Sequence, residues 1–334
     1  MKVLFLNEHE VHALLEMSAT VALMRDTLCT LARGDAVQPL RSMVRLPDGS
    51  GLLGLMPGYL GAPQAFGLKV VSVMPGNHGT AYDSHQGVVL LFGVTHGEPL
   101  AILDATAITA VRTAAVSAAA TDTLALSEAG DLALIGSGTQ ARTHLAAMRA
   151  VRTLRRVRVW SRTRANAERF ALEEGARHGL HIEVCEHAAA AVHGADLICT
   201  TTSAREPVLA GDTIAPGAHI NAVGACFAAS RELDSRAVAR SRLYTDRRES
   251  CLHEAGDFLL ARAEGAIDDS HLLGELGEVF VGHVPGRIAA TDITLFESLG
   301  LAVEDLACAH FLLARARQQA AGTWLEWGGP PSPV

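Results

Sequence analysis

The stretch LALIGSGTQARTHLAAM, residues 132–148, constrains this chain more than any other. A buried apolar strand runs into Gly136-Ser137-Gly138-Thr139-Gln140-Ala141, and a helical pattern follows. Gly136 allows the tight turn that ends the strand. Gly138 lets backbone N–H groups approach a pyrophosphate, and Ala141 keeps the helix close to the sheet. Phosphates would then sit at the helix N-terminus, where unpaired amides and the dipole favour negative charge. A glycine triplet alone also occurs in ordinary tight turns. Here the strand, the helix and a second strand at the right interval agree, so residues 136–141 read as a dinucleotide-binding loop.

The surrounding text has the rhythm of a parallel, doubly wound sheet. LALIG is a strand, 139–150 a helix, VRVWS a strand, 164–178 a helix and HIEVC a strand. A short helix at 187–193 and the strands DLICTTT and HINAVG follow. Thr201, in the first of these two strands, completes the expected cofactor-binding set.

The end of the second strand bears on the choice of cofactor. An acidic residue normally stands there and grips the ribose hydroxyls of NAD. This chain has Ser161-Arg162-Thr163 instead. Ser161 and Thr163 can donate to a 2′-phosphate, and Arg162 can pair with it through a charge-assisted fork. The plainer reading is a solvated surface arginine. Position favours the first, so NADP(H) is the expected cofactor, with NAD(H) left open.

Before residue 132 the pattern differs. Residues 18–33 read as an amphipathic helix capped by Ser18 and ended by Gly34. From Val37 to about Leu103, short apolar runs split by Gly and Pro read as a mostly antiparallel sheet. ATAITAVRTAAVSAAATDTLA then returns to helix. Phe296 to Ala321 reads as one long helix that packs back on the N-terminal domain and makes it discontinuous. The organisation expected is therefore residues 1–120 with 300–334 as one domain and 121–299 as the other. The tail GGPPSPV reads as frayed.

Composition serves mainly to exclude. A net charge of −8 offers no basic field for nucleic acid. No segment approaches about 18 uninterrupted apolar residues, so no membrane span is expected. The N-terminal apolar run is too short for a signal peptide. Six cysteines without a C-x-x-C pair suit reduced thiols in a cytoplasmic protein. No His, Cys and carboxylate set has metal-ligand spacing.

Isolated charges in apolar text mark the candidate substrate site. Lys69 stands between Leu68 and Val70 in FGLKVVSV, where lysines are rarely buried without a partner. An edge lysine facing water is the alternative. Arg112 is the lone charge between Asp104 and Asp122 on an alanine-rich helix. Something anionic should meet it, either a ligand or a structural partner such as Asp104 or Asp122. Arg41, just after Pro39, could add a third cation or be an ordinary loop residue. Together these cations would clamp a small carboxylate. His85, in DSHQG before a buried strand, is a weaker candidate, and a hydrogen-bonded core histidine is the favoured reading.

The segments GLKVVSVMPGN, ILDATAITAVRTAAVSAAAT, LIGSGTQARTHLAAM, VWSRTRANAERF, HINAVGA…RELD and DITLFESLGLAVEDLA resemble, in order along nearly the whole chain, the ornithine cyclodeaminase/mu-crystallin family. The resemblance implies an α/β protein with a Rossmann doubly wound parallel sheet domain that binds NAD(P). It also implies an α+β domain for substrate binding and dimerisation, so that the molecule is a homodimer. A small cyclic imino acid or amino acid would lie between the domains. Lys69 and Arg112, assisted by Arg41, would hold the substrate carboxylate.

The family spans several reactions. Where its cyclodeaminases place a catalytic carboxylate, this chain has Cys226, and Ala228-Ala229-Ser230 replaces their Pro-Gly-Lys. A second acidic position of the cyclodeaminases aligns with Gly54. A thiol with an ordinary pKa near 8.5 is a poor proton carrier at neutral pH. The resemblance therefore points to NADPH-dependent reduction of cyclic ketimine carboxylates such as pyrroline-2-carboxylate or piperideine-2-carboxylate. Lys69 could relay the proton, and Cys226 would be a wall of the pocket. Ornithine cyclodeamination, an alanine-dehydrogenase-like reaction, and a non-catalytic NADPH-binding role are the alternatives.

Overall fold

The computed structural model describes residues 1–77 and 79–328. Most of the tail read as frayed, from residue 329 onward, lies outside the described residues. In chain order the first elements are β1 (Lys2–Leu6), α1 (Glu8–Leu14), α2 (Met17–Ala32), β2 (Ala36–Val37), β3 (Ser42–Arg45), β4 (Leu52–Gly61), β5 (Gln64–Val73), β6 (His85–Phe92), β7 (Pro99–Asp104) and α3 (Ala105–Leu124). The middle comprises β8 (Asp131–Ile135), α4 (Thr139–Val151), β9 (Arg156–Trp160), α5 (Arg164–His178), β10 (Ile182–Val184), α6 (Ala188–Val192), β11 (Leu197–Thr200) and β12 (His219–Ala222). Then come α7 (Ser235–Ala239), β13 (Ser241–Thr245), α8 (Arg248–Glu254), α9 (Gly256–Ala263), β14 (Leu272–Glu275), α10 (Leu276–Phe280), β15 (Ile293–Glu297), α11 (Ala302–Gln319) and β16 (Thr323–Glu326).

Contacts divide the chain into two compact units, Met1–Arg112 with Leu301–Val334, and Thr113–Gly300. The seam falls inside α3.

The first unit is built on a sheet of order β16-β1-β7-β6-β5-β4-β2, with β3 also on β4. Its pairs are antiparallel apart from β1 and β7, which run parallel. Alternate side chains of β5 are buried, and Ala65, Gly67 and Lys69 share that face. Helix α11 packs there. A Cβ on Gly67 would come within 3.1 Å of Leu306 Cδ2 and would collide with the Leu90 carbonyl, so glycine lets helix and sheet approach.

The second unit has an eight-stranded sheet of order β10-β9-β8-β11-β12-β15-β13-β14, parallel throughout. Its central strands are buried on both faces, and β8 and β11 are largely continuous apolar runs. Chain order reverses between β8 and β11, and ligands of such sheets bind beyond the strand C-termini at that point.

Two expectations are corrected. The long helix read from Phe296 is shorter: Phe296 and Glu297 belong to β15, and α11 starts at Ala302. Gly300, at φ +81°, breaks the chain between them, and Asp246 Oδ2 accepts from the Leu299 and Gly300 N–H groups. Helix α2 starts at Met17 with Glu16 as N-cap, so Ser18 lies inside it, and Ser18 Oγ donates to Glu16 Oε1. Among the described residues, no helix is long and apolar enough to cross a membrane. The same residues include no His, Cys, Asp and Glu group fit for a metal ion.

Candidate functional site

The cofactor loop lies wholly in the second unit. Strand β8 ends at Ile135, and the Gly136 N–H donates to the Trp160 carbonyl of β9 at 2.8 Å. On the other side, the Thr201 N–H donates to the Ile135 carbonyl at 2.8 Å. Gly136 has φ +119°, and a Cβ there would meet Thr201 Oγ1 at 2.7 Å and its carbonyl oxygen at 2.8 Å. No other residue fits this turn. Above Gly138 a Cβ would meet nothing within 4 Å, and Gly138 caps α4 with no side-chain hydrogen bond. Helix α4 thus starts at a residue with open space where a side chain would stand and with no side-chain cap, which fits a pyrophosphate cradle.

Buried groups hold this loop. His144, on the first turns of α4, has Nδ1 2.7 Å from the Gln140 carbonyl and Nε2 2.9 Å from Ser117 Oγ. Burial pushes its pKa down to about 4, so the ring is neutral, donates from Nδ1 and accepts from the serine. Ser137 Oγ donates to Ser161 Oγ at 3.0 Å, which joins the glycine loop to the end of β9.

Ser161 and Arg162 line a cavity of about 430 Å³ with Trp160, Cys185, Glu186 and His187. This is where β9 and β10 end, the place of an adenosine ribose in such folds. Arg162 is exposed, and among the described residues it has no hydrogen-bond or ion-pair partner. Thr163 caps α5 and lies outside that lining. Glycine loop, Ser161, Arg162 and Thr201 are therefore gathered at one end of one sheet, and they fit a dinucleotide.

The cation cluster lies wholly in the first unit. Lys69 is 3% exposed in the middle of the sheet, opposite Met56 of β4 and Val89 of β6, so it is no edge lysine. Its Nζ stands 2.7 Å from Asp305 Oδ2 and donates to Thr109 Oγ1 at 3.3 Å. An ammonium has three donors. Among the described residues the third has no acceptor. Burial lowers the Lys69 pKa to about 8 against the pull of Asp305, with Arg112 and Arg41 pushing the same way as burial.

Arg112 donates from Nε to Asp305 Oδ1 at 3.0 Å and from Nη1 to Glu304 Oε2 at 2.8 Å. The partners expected from sequence are engaged elsewhere. Asp104 Oδ1 accepts from the Ala107 N–H at 2.8 Å, and Asp122 Oδ1 accepts from Arg152 Nη1 at 3.1 Å. Arg41 is half-buried just before β3 and near enough to Lys69 to depress its pKa. His85 is exposed, not a core residue, and its Nδ1 is 3.0 Å from Ser84 Oγ.

Sequence reading missed Glu304 and Asp305. They are an acidic pair in the apolar run SLGLAVEDLA, and the logic that singled out Arg112 applies equally to them. It also missed Glu232. Fully buried, Glu232 accepts from Thr200 Oγ1 at 2.8 Å and from the Gly224 and Thr202 N–H groups, which ties the ends of β11 and β12 together. Cys226 is half-buried and packs against the core of the second unit.

With this geometry in hand, similarity to known proteins can be placed. The model of the ornithine cyclodeaminase/mu-crystallin family matches residues 1–320. Ketimine reductase mu-crystallin of Mus musculus is 43% identical over 279 residues, which cover 84% of this chain and 85% of that protein. Delta(1)-pyrroline-2-carboxylate reductase of Bacillus cereus is 33% identical over 97% of this chain and 100% of its own length. Among solved structures, Thermococcus litoralis Delta(1)-pyrroline-2-carboxylate reductase in complex with NADH and L-proline superposes with a TM-score of 0.94 at 36% identity, covering 96% of this chain and 99% of that one. An archaeal alanine dehydrogenase dimer with bound NAD gives a TM-score of 0.92 at 29% identity, over 98% of this chain and 100% of that one.

Proposed function

The chain belongs to the ornithine cyclodeaminase/mu-crystallin family, and from that premise we propose that it is an NAD(P)H-dependent reductase of cyclic ketimine carboxylates. Pyrroline-2-carboxylate or piperideine-2-carboxylate would be converted to L-proline or L-pipecolate. The observation that carries this reading is the buried Lys69 ammonium, held beside Arg112 with one donor unspent. A buried N–H without an acceptor costs free energy until a ligand meets it. The imine nitrogen of such an acid is a ligand of this kind, and Arg112 and Arg41 add positive charge for its carboxylate.

Residues 136–141 with Ser161, Arg162 and Thr201 would hold the cofactor, whose chemistry when bound would be the supply of a hydride to the imine carbon. Lys69 contributes the proton. With a pKa of about 8 it is mostly charged at neutral pH, yet a far stronger acid than a solvated lysine. The proton passes to the imine nitrogen, and the neutral amine left behind regains one from water. Reduction needs only this single proton donor, because the C=N bond is already formed in the substrate. Cyclodeamination also requires a group that manages ammonia loss, and the position of the cyclodeaminase carboxylate holds Cys226.

Arg162 supports NADP(H) as the preferred nicotinamide, since a 2′-phosphate would give this unpaired guanidinium its partner. The outer face of the first sheet supports a homodimer. Val44, Leu53 and Phe66 are exposed there, with Pro57 beside them, and such a patch is unusual on a monomer. Six free cysteines, four of them buried, suit the reducing cytoplasm.

The test is a screen of NADPH and NADH against both cyclic imines, ornithine and alanine. Stoichiometric cofactor oxidation with the imines is expected. Ammonia and proline from ornithine without net change in the cofactor would sink the reading, as would tight NADPH binding with no turnover of either imine.

A further inference from the structure

We propose that Asp305 is a positioning residue that keeps Lys69 charged and so governs the proton delivered to the substrate. The inference rests on the ketimine reductase reading and extends it to a residue that need not touch substrate or cofactor.

Geometry carries the argument. Asp305 is completely buried and divides its carboxylate between two cations, with Oδ2 2.7 Å from Lys69 Nζ and Oδ1 accepting from Arg112 Nε at 3.0 Å. It has little freedom to do otherwise. Neighbouring Glu304 holds Arg112 and accepts from the Leu301 N–H at the start of α11, and the Val303 N–H donates to Gln38 Oε1. The carboxylate is thus fixed by a helix, the lysine by a strand and the arginine by a second helix.

Among the described residues, every other charged or titratable group around Lys69 either opposes its charge or stands farther off. Arg112 from α3 and Arg41 before β3 are cations that depress its pKa. His85 from β6 lies close enough to feel the Lys69 charge, and protonated it would add a third cation. Glu304 is engaged with Arg112, and the Cys308 thiol of α11 is buried and neutral, its pKa raised by desolvation. Among the described residues, Asp305 is the one carboxylate at ion-pair distance from the ammonium. Remove that charge, and burial acts together with Arg112 and Arg41 to neutralise Lys69. A neutral amine has no proton to give an imine of ordinary basicity.

The step balances simply. The Lys69 N–H bond breaks and a bond to the imine nitrogen forms, while the hydride from NAD(P)H makes the new C–H bond. Lysine is left neutral until water reprotonates it, and Asp305 favours that reprotonation.

Asp305→Asn in the full chain is the test, read as the pH profile of kcat for pyrroline-2-carboxylate reduction. The basic limb should move to lower pH by about one unit or more, as expected when an opposite charge in contact is lost. NADH affinity, set by residues of the other unit, should stay within about twofold. Asp305→Glu should restore much of the limb, and it serves as the readout if the asparagine variant does not fold. A folded D305N enzyme with kcat reduced at every pH and the limb unmoved would overturn the proposal. If the wild-type chain reduces no imine, the functional reading fails instead. The inference is then decided by NMR titration of the Lys69 ammonium, assigned with Lys69→Arg: a lower pKa in D305N upholds it, and an equal one ends it.

Discussion

Replacing Arg162 by alanine should separate the two nicotinamide cofactors. The guanidinium is exposed, lines the cavity at the ends of β9 and β10, and has no partner among the described residues. Its removal therefore breaks no internal contact, and stability should change by less than about 0.5 kcal/mol. In the proposed cofactor assignment, what it would lose is a charged hydrogen bond to a 2′-phosphate, worth about 1.5–3 kcal/mol. At about 1.4 kcal/mol per decade that is a weakening of NADPH by about 10- to 150-fold. Solvent exposure places the expectation nearer the lower end, since exposed charge pairs act through a high dielectric. NADH lacks the phosphate and should bind almost as before. Fluorescence titration of wild type and R162A with both cofactors gives the ratio of dissociation constants directly. Equal losses for NADPH and NADH, or none for either, would remove the basis for assigning Arg162 to the phosphate.

Three further outcomes follow from buried geometry. Arg112→Met removes the buried cation that Glu304 and Asp305 share, and urea denaturation should show a loss of about 3–5 kcal/mol that adding Glu304→Gln partly restores. Gly136→Ala places a Cβ against Thr201 at positive φ, so it should cost about 1–3 kcal/mol in the same assay and weaken both cofactors together. The pH dependence of stability combines opposing groups. Burial holds His144 and His219 down at about 4 and about 3, below their ordinary 6.5, so the stability they contribute is full above about 6.5 and is lost as pH falls towards those values. Asp257 is raised by burial and by neighbouring Glu232 from 3.8 to about 7, so its contribution is present below about 3.8 and is lost as pH rises to about 7. Asp257→Asn, which keeps an acceptor for the Glu232 and Leu233 N–H groups, should be more stable than wild type at pH about 8 and no more stable at pH about 4. Urea midpoints at those two pH values check the sign.

How much of this was legible in the chain itself depends on distance along it. The loop at 136–141, the strand at 156–160 and the helix at 164–178 are local patterns and stand where periodicity places them. Lys69 and Arg112 were conspicuous as charges in apolar text. Their partners were not, because Asp305 lies 193 positions beyond Arg112 and only the return of α11 onto the first sheet brings them together. Strand β1 and helices α8 to α10 offered no clear period, since elements of five to eight residues are too short to repeat a pattern more than about twice. Phe296 was taken for helix because an apolar run fits a buried parallel strand equally well, and pairing with β12 and β13 decided for strand. His85 was misjudged because the apolar residues after it suggested burial, whereas it stands at the exposed start of β6.

In the proposed reaction, hydride passes from the nicotinamide to a preformed imine carbon while the chain supplies the proton. NADPH deuterated at C4, on each face in turn, tests this with pyrroline-2-carboxylate. One of the two should place deuterium on the α-carbon of proline, one atom per cofactor oxidised. Proline without label from either preparation, or cofactor left unoxidised in the presence of the imine, would contradict the account.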